Sequence, residues 1–403
     1  MRAVIATPQR QNAPPSPPSP PSPLPAGAAA AVDGDVTGAV NRELALCCAE
    51  LVTFSRSLDA VFATDVAERL ATYTLSGGSR IRPRFLWWAL RACGGTDAHV
   101  AGALRVAVAL ELIQTCALVH DDVMDQSAVR RGRPSFHAQI AAQYPEGARE
   151  AGQAPFAQSA AVLAGDLALS WADDLVAGVD LRPTVRAEIL RIWRTMRTEM
   201  VAGQYLDLHG QATGSRSAAQ AIKTVCLKTA RYTVERPLAL GAALAGADDA
   251  TSRALAAAGR CAGIAFQLRD DLLGVFGDPE VTGKPSGDDL RSGKATYLLA
   301  LADARARATG ATAVIERLRA CRGSADLTGP ALAAAREALR STGAPAQVER
   351  RIEHLVRASE RHLVTAGLQG PAAQRLAELL RRVATPPRQP AAAGTAADLP
   401  GGR

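Results

Sequence analysis

Apolar residues recur at intervals of three and four along most of the chain, the period of a helix with one face turned inward. Between residues 100 and 120 they include Leu104, Val108, Leu112 and Cys116. The same pattern runs through 160–179, 186–208, 218–234, 252–276, 295–307 and 348–366. Breakers separate these runs: Gly94-Gly95, Arg182-Pro183, Gly210, Gly277-Asp278-Pro279 and Gly283-Lys284-Pro285. No alternating strand pattern of useful length interrupts them. The stretch 138–158 is polar, aperiodic and bears Gly and Pro, so it is expected to be a long loop. The pattern predicts an all-α fold, a large single-domain helical bundle over residues 36–384.

Composition sharpens that picture. Apolar residues make up 48% of the 403, but aromatics only 4%, so Ala, Leu and Val fill the core, as suits packed helices. Residues 1–35, with repeated Pro-Pro-Ser between 14 and 25, and residues 385–403 are expected to be disordered tails. Seven cysteines without a CxxC pair imply reduced thiols in the cytoplasm rather than zinc or a disulfide framework. No secretory signal and no uninterrupted membrane-spanning stretch is evident. The formal charge of +7 fits nucleic acid, an anionic surface or a phosphorylated substrate. The absence of zinc-finger or RNA-binding signatures argues against nucleic acid.

Two acidic clusters lie at the ends of apolar runs: His120-Asp121-Asp122-Val123-Met124-Asp125 and Gln267-Leu268-Arg269-Asp270-Asp271. Asp121 and Asp125 share a helix face, and carboxylates ~5 Å apart repel by about 3 kcal/mol at an effective dielectric of 20. A solvated acidic helix end is the ordinary fate of such a pair. However, Asp is a poor residue inside a helix, and both clusters border apolar neighbours. A hard cation such as Mg²⁺, sharing oxygen ligands with a phosphate, relieves the repulsion. Basic residues follow each cluster: Arg130-Arg131-Gly132-Arg133 after the first, Lys284 and Lys294 after the second. Gly77-Gly78-Ser79-Arg80-Ile81-Arg82-Pro83 stands upstream. Arginine reads phosphate bidentately and lysine as a point charge. The ordered set describes a site for two polyanions bridged by metal.

These motifs resemble the trans-isoprenyl diphosphate synthase, or polyprenyl synthetase, family over roughly residues 75–297. The matching pieces are Gly77–Pro83, Asp121–Arg131, Lys228-Thr229, Phe266–Asp271 and the Gly283–Lys294 tail. The resemblance implies a bundle of the isoprenoid synthase type, most similar in function to geranylgeranyl diphosphate synthases. It implies head-to-tail condensation of isopentenyl diphosphate with an allylic diphosphate.

Carried over residue by residue, Asp121, Asp122, Asp125, Asp270 and Asp271 would hold Mg²⁺. Arg130, Lys228, Lys284 and Lys294 would bind the allylic diphosphate. Lys228, Thr229 and Gln267 would face the allylic cation. Ser79, Arg82, Gln114 and Arg131 would bind isopentenyl diphosphate, while Gln204 and Asp207 line the site. Ile113, Cys116 and Ala117 would control chain length, and their modest size implies a C20 product. Ser79 stands where the family has Lys, and Gly274 where the second motif ends in Asp. The resemblance also implies a homodimer. Other readings are a class I terpene synthase, which needs no second phosphate site, and an inactive partner subunit.

Overall fold

The computed structural model describes residues 26–144, 156–214, 217–278, 287–324, 327 and 329–384. Its helices are α1 (Ala28–Gly34), α2 (Val36–Leu58), α3 (Ala60–Phe62), α4 (Arg69–Leu75), α5 (Ile81–Ala92) and α6 (Val100–Met124). There follow α7 (Phe136–Gln143), α8 (Phe156–Ala177), α9 (Pro183–Ala212), α10 (Ala218–Val225), α11 (Arg236–Ala245) and α12 (Asp249–Phe276). The C-terminal third adds α13 (Asp288–Arg291), α14 (Tyr297–Ala308), α15 (Thr312–Cys321), α16 (Gly329–Ser341), α17 (Ala344–Thr365) and α18 (Pro371–Ala384). A two-residue ladder, β1 (Val129–Arg130) with β2 (Arg133–Pro134), is the only sheet among the described residues. The all-α expectation holds.

α6 is apolar on every side and therefore takes the centre. Val106, Val108, Leu110, Leu112 and Ile113 are all fully buried, and α8, α5 and α2 pack around it. By length and composition this helix, with the turn before it, could also cross a membrane. Here it is the core of the bundle. A second cluster gathers α12, α14 and the C-terminal helices. A third joins α5, α11 and α12 to α18.

Three local expectations are corrected. Order begins before residue 35, because α1 is pinned from a distance. Asp97 accepts from the amides of Gly27 (2.8 Å) and Ala29 (2.7 Å), and Asp33 accepts from Trp87 Nε1 (2.9 Å) and Arg91. The stretch expected as a loop from 138 is helical as far as Gln143, since Phe136 and Ile140, one turn apart, bury against the core. The run 218–234 is not one α-helix: Cys226–Glu235 is π-helical, its hydrogen bonds reaching one residue further than in an α-helix. The Pro-rich stretch 14–25 and the chain from 385 lie outside the described residues.

Candidate active site

α6 ends where its apolar sequence ends, and Asp125 closes it, its amide donating to the Asp121 carbonyl (2.8 Å). Asp121 and Asp125 thus sit one turn apart at the rim of the core. Asp121 Oδ1 accepts from Gln204 Nε2 on α9 (2.8 Å) and lies 3.4 Å from Lys228 Nζ. Lys228 also pairs with Asp207 (2.7 Å). Burial opposes the charge on Lys228, but Asp207, Asp121 and Asp125 together hold the ammonium above its ordinary pKa. Asp125 is shifted up, first by burial and then by Asp121, with Lys294, 4.0 Å away, pulling the other way. Asp121, Asp125 and Asp207 thus share the pocket with Lys228, Lys294 and Arg130, the last 3.6 Å from Asp121.

The second aspartate of each cluster plays a different part. Asp122 is fully buried; it accepts from Arg130 Nε (2.7 Å) and Tyr73 Oη (3.3 Å). Asp271 is also buried. Its Oδ1 accepts from Gln267 Nε2 (2.9 Å), and Gln267 Oε1 in turn accepts from Thr229 (2.9 Å). Burial pushes Asp271 up to about 7, with Asp289 and Asp270 adding to the rise. Both of these expected metal ligands are buried: Asp122 is bonded to Arg130 and Tyr73, whereas Asp271 Oδ2 has no hydrogen-bond partner. Asp121, Asp125 and the half-buried Asp270 remain as candidates for metal.

No three such side chains converge tightly enough among the described residues to hold an ion unaided. All-oxygen donors in this pocket fit a hard divalent cation that takes its other ligands from phosphate and water. Gly274, in place of the second motif's last Asp, opens space that the Asp289 carboxylate fills; a Cβ there would lie 2.5 Å from Asp289 Oδ2. Lys284 lies outside the described residues.

The second basic group forms a separate wall. Arg131 and Gly132 are the left-handed pair of a two-residue hairpin turn (φ 54° and 73°). This aims the Arg131 guanidinium over the Gly77–Gly78 loop, where it donates to the Gly77 carbonyl (3.0 Å). Arg82 donates to Thr233 Oγ1 (3.0 Å) and stacks 4.5 Å from the centre of the Tyr232 ring. Arg82 Nε, a donor that a phosphate oxygen would satisfy, and Gln114 Oε1, an acceptor, are both buried without a hydrogen-bond partner. Ser79 is exposed beside them. Arg80, although next in sequence, cannot stand in for the missing lysine. It is buried in a pair with Glu111 and bonded to Asn41 Oδ1 (2.8 Å) and the Thr74 carbonyl (3.0 Å).

One element serves both walls. The π-helical segment carries Lys228 and Thr229 toward the acidic pocket, and Tyr232 and Thr233 toward Arg82. It is gripped by close backbone approaches: a Cβ on Gly203 would lie 2.4 Å from Lys228 N, and one on Gly263 would lie 2.6 Å from Ala230 Cα. Sequence reasoning missed this element, as well as Tyr73, Tyr232, Thr233 and the Arg80–Glu111 pair. Its trace in the sequence is Gly203 and Gly263, on the neighbouring helices α9 and α12.

Residues 64–326 match the family model described as Polyprenyl synthetase. The chain belongs to the polyprenyl synthetase family. It is 34% identical over 229 residues to the geranylfarnesyl diphosphate synthase of Aeropyrum pernix, covering 56% of this chain and 66% of that one. It is 34% identical over 298 residues to the farnesyl diphosphate synthase of Geobacillus stearothermophilus, covering 69% and 89%. Among solved structures it resembles the geranylgeranyl pyrophosphate synthase of Corynebacterium glutamicum, complexed with isoprenyl diphosphate and magnesium. That match has a TM-score of 0.77 and 37% identity, over 86% of this chain and 98% of that one. Polyprenyl synthetases of different product lengths thus match this chain similarly, so the likeness does not fix its product.

Proposed function

We propose that this chain condenses isopentenyl diphosphate with an allylic diphosphate, using Mg²⁺, to give mainly geranylgeranyl diphosphate. The observation that carries the reading is the second wall. Arg82 Nε is a buried donor with no hydrogen-bond partner, and Arg131 lies over the Gly77–Gly78 loop that leads into it. An enzyme that only ionises one allylic diphosphate needs no such place. The two walls seat two diphosphates, one beside Asp121, Asp125, Asp270, Lys228 and Lys294, the other beside Arg82, Arg131 and Ser79.

Bound there, the metal would neutralise the leaving diphosphate as the allylic C1–O bond breaks. Lys228 donates to the departing oxygens, its ammonium kept charged by Asp207 and Asp121. The Thr229 and Gln267 oxygens, ordered by their mutual bond and by Asp271, face the electron-poor carbon. The double bond of isopentenyl diphosphate then attacks that carbon, and the adjacent proton leaves to the released diphosphate. Burial of the segment between the walls keeps water away from the cation.

The test is to incubate the purified chain with farnesyl diphosphate and Mg²⁺, with and without isopentenyl diphosphate, and to identify products by mass spectrometry. A C20 diphosphate formed only with isopentenyl diphosphate is expected. A hydrocarbon formed without it would establish a terpene synthase, and no turnover an inactive subunit. A homodimer is part of the proposal. Leu46, Phe54 and Leu58 on α2 and Phe156 and Leu163 on α8 are exposed apolar positions for a second copy to cover. Light scattering after size exclusion reads the state directly. Seven free thiols fit a cytoplasmic enzyme.

A further inference from the structure

The diphosphate seat at the end of α6, the reading this inference rests on, needs Asp121 and Asp125 held still while the groups around them change partners. The last turn of α6 has little apolar grip of its own. Past the fully buried Val119, Asp122 is its one buried side chain, and Met124 is exposed. Three consecutive residues instead tie the turn to three different elements, at steps of about 100° around the helix. Asp121 accepts from Gln204 on α9 (2.8 Å) and faces Lys228 (3.4 Å). Asp122 accepts from Arg130 (2.7 Å) and Tyr73 (3.3 Å). His120 reaches α8, its Nε2 3.0 Å from the Val162 carbonyl oxygen.

The third tie differs from the other two. A carbonyl oxygen only accepts, so Nε2 carries the hydrogen and donates. Nδ1 then faces the Cys116 sulfur, one turn back on α6, at 3.8 Å. The mostly buried imidazole lies against Gly165, one turn along α8 from Val162, where a Cβ would overlap Nε2. Asp166, largely exposed, stands 3.8 Å from the same nitrogen. Lys228 and Arg130, which hold Asp121 and Asp122, are the same cations that the allylic diphosphate recruits on the proposed reading. The bond from His120 to Val162 uses no group that the substrate draws on.

We propose that His120 is a positioning residue. Seated on Gly165 and bonded to Val162, it fixes the rotation of the last turn of α6, and with it the Asp121–Asp125 pair, as Lys228 and Arg130 turn to the diphosphate. It acts through these aspartates and not by touching substrate. Without the bond the turn is held only by partners that the ligand competes for. A shift of about 1 Å in groups that align reacting atoms costs up to roughly a hundredfold in rate. The cost in stability is small, because the Val162 carbonyl, inside α8, keeps its own helical partner when His120 is lost.

The experiment compares His120→Leu, His120→Gln and Gly165→Ala with the wild type. It reads calorimetric titration of inorganic diphosphate in the presence of Mg²⁺, steady-state kinetics with each substrate varied, and a thermal melt. Leucine keeps the bulk and removes the donor, whereas glutamine keeps an N–H where Nε2 stands. His120→Leu and Gly165→Ala are each expected to weaken diphosphate binding and lower kcat by about ten- to a hundredfold. The KM for isopentenyl diphosphate and the melting temperature should stay close to wild type, and His120→Gln should recover most of the loss. The double variant should lose no more than either single one, because both break the same contact. Should His120→Leu fail to fold, His120→Asn, polar but too short to reach Val162, takes its place. Folded variants that bind diphosphate with Mg²⁺ as the wild type does would overturn the positioning role. So would a loss that falls equally on isopentenyl diphosphate and on thermal stability. Wild-type protein that binds diphosphate with Mg²⁺ but makes no isopentenyl-dependent product would overturn the elongation reading instead.

Discussion

Replacing Ser79 with lysine is the sharpest single probe of the second wall. Ser79 is exposed on the Gly77–Gly78 loop, two residues from the position over which Arg131 lies; a Cβ on Gly78 would sit 3.3 Å from its Nη1. Arg82 follows in the first turn of α5, its guanidinium on Thr233 and the Tyr232 ring. The neighbouring Arg80 is spent on Glu111, Asn41 and the Thr74 carbonyl, so nothing local restores the lost cation. A charge-assisted hydrogen bond contributes roughly 1.5–3 kcal/mol, which corresponds to about ten- to a hundredfold in affinity. A new lysine also repels Arg131 and Arg82 in the empty site, so the gain should fall toward the lower end. Steady-state kinetics with each substrate varied in turn provides the assay. Ser79→Lys should lower the KM for isopentenyl diphosphate about tenfold and leave the allylic KM nearly unchanged. If both move together, or neither moves, Ser79 does not face the second diphosphate and the assignment of that wall is wrong.

Asp121→Ala and Asp270→Ala should each cut turnover by orders of magnitude with little change in melting temperature, and a chelator should abolish wild-type activity; activity surviving in chelator would remove the metal. Cys116→Phe should shorten the product by filling the space for its tail, which mass spectrometry reads; an unchanged product would show that the tail runs elsewhere. Arg80→Met leaves Glu111 buried and uncompensated and should destabilise the fold by about 3–5 kcal/mol. In urea titration most of that loss should return in the Arg80→Met/Glu111→Leu double variant; a loss below about 1 kcal/mol would mean that the pair is not buried in solution.

The parts of the site that show in the sequence are those whose chemistry needs neighbours along the chain. Asp121 and Asp125 need one helical turn between them, and Arg131 needs the glycine after it to make its turn. What stays hidden depends on partners far away in sequence. Asp122 reads the same as Asp121 until Arg130 and Tyr73 are seen to hold it. Arg80 looks like a phosphate ligand until Glu111, 31 residues on, is seen beneath it. α1 reads as tail because Asp97, which caps it, is about 70 residues downstream. The π segment spans only ten residues, too few for its wider period to stand out from a pattern of threes and fours.

On the proposed reading, that segment would couple the two diphosphate seats. An α-helix through 226–235 would present its residues at 100° steps; the wider π turn changes the step and the direction of every side chain after it. Here Lys228 and Thr229 turn toward the aspartates, while Tyr232 and Thr233 turn toward Arg82. Its far end is tied down by charge. Glu199 on α9 accepts from Arg236 Nε (2.7 Å) and pairs with Arg231, and Glu235 accepts from Arg260 Nε on α12 (2.8 Å). Gly203 and Gly263 let α9 and α12 close on its backbone from either side. The π turn is thus held by two glutamates, three arginines and two missing side chains. The distance between the two seats is set by one backbone element, whose own position is set from both sides.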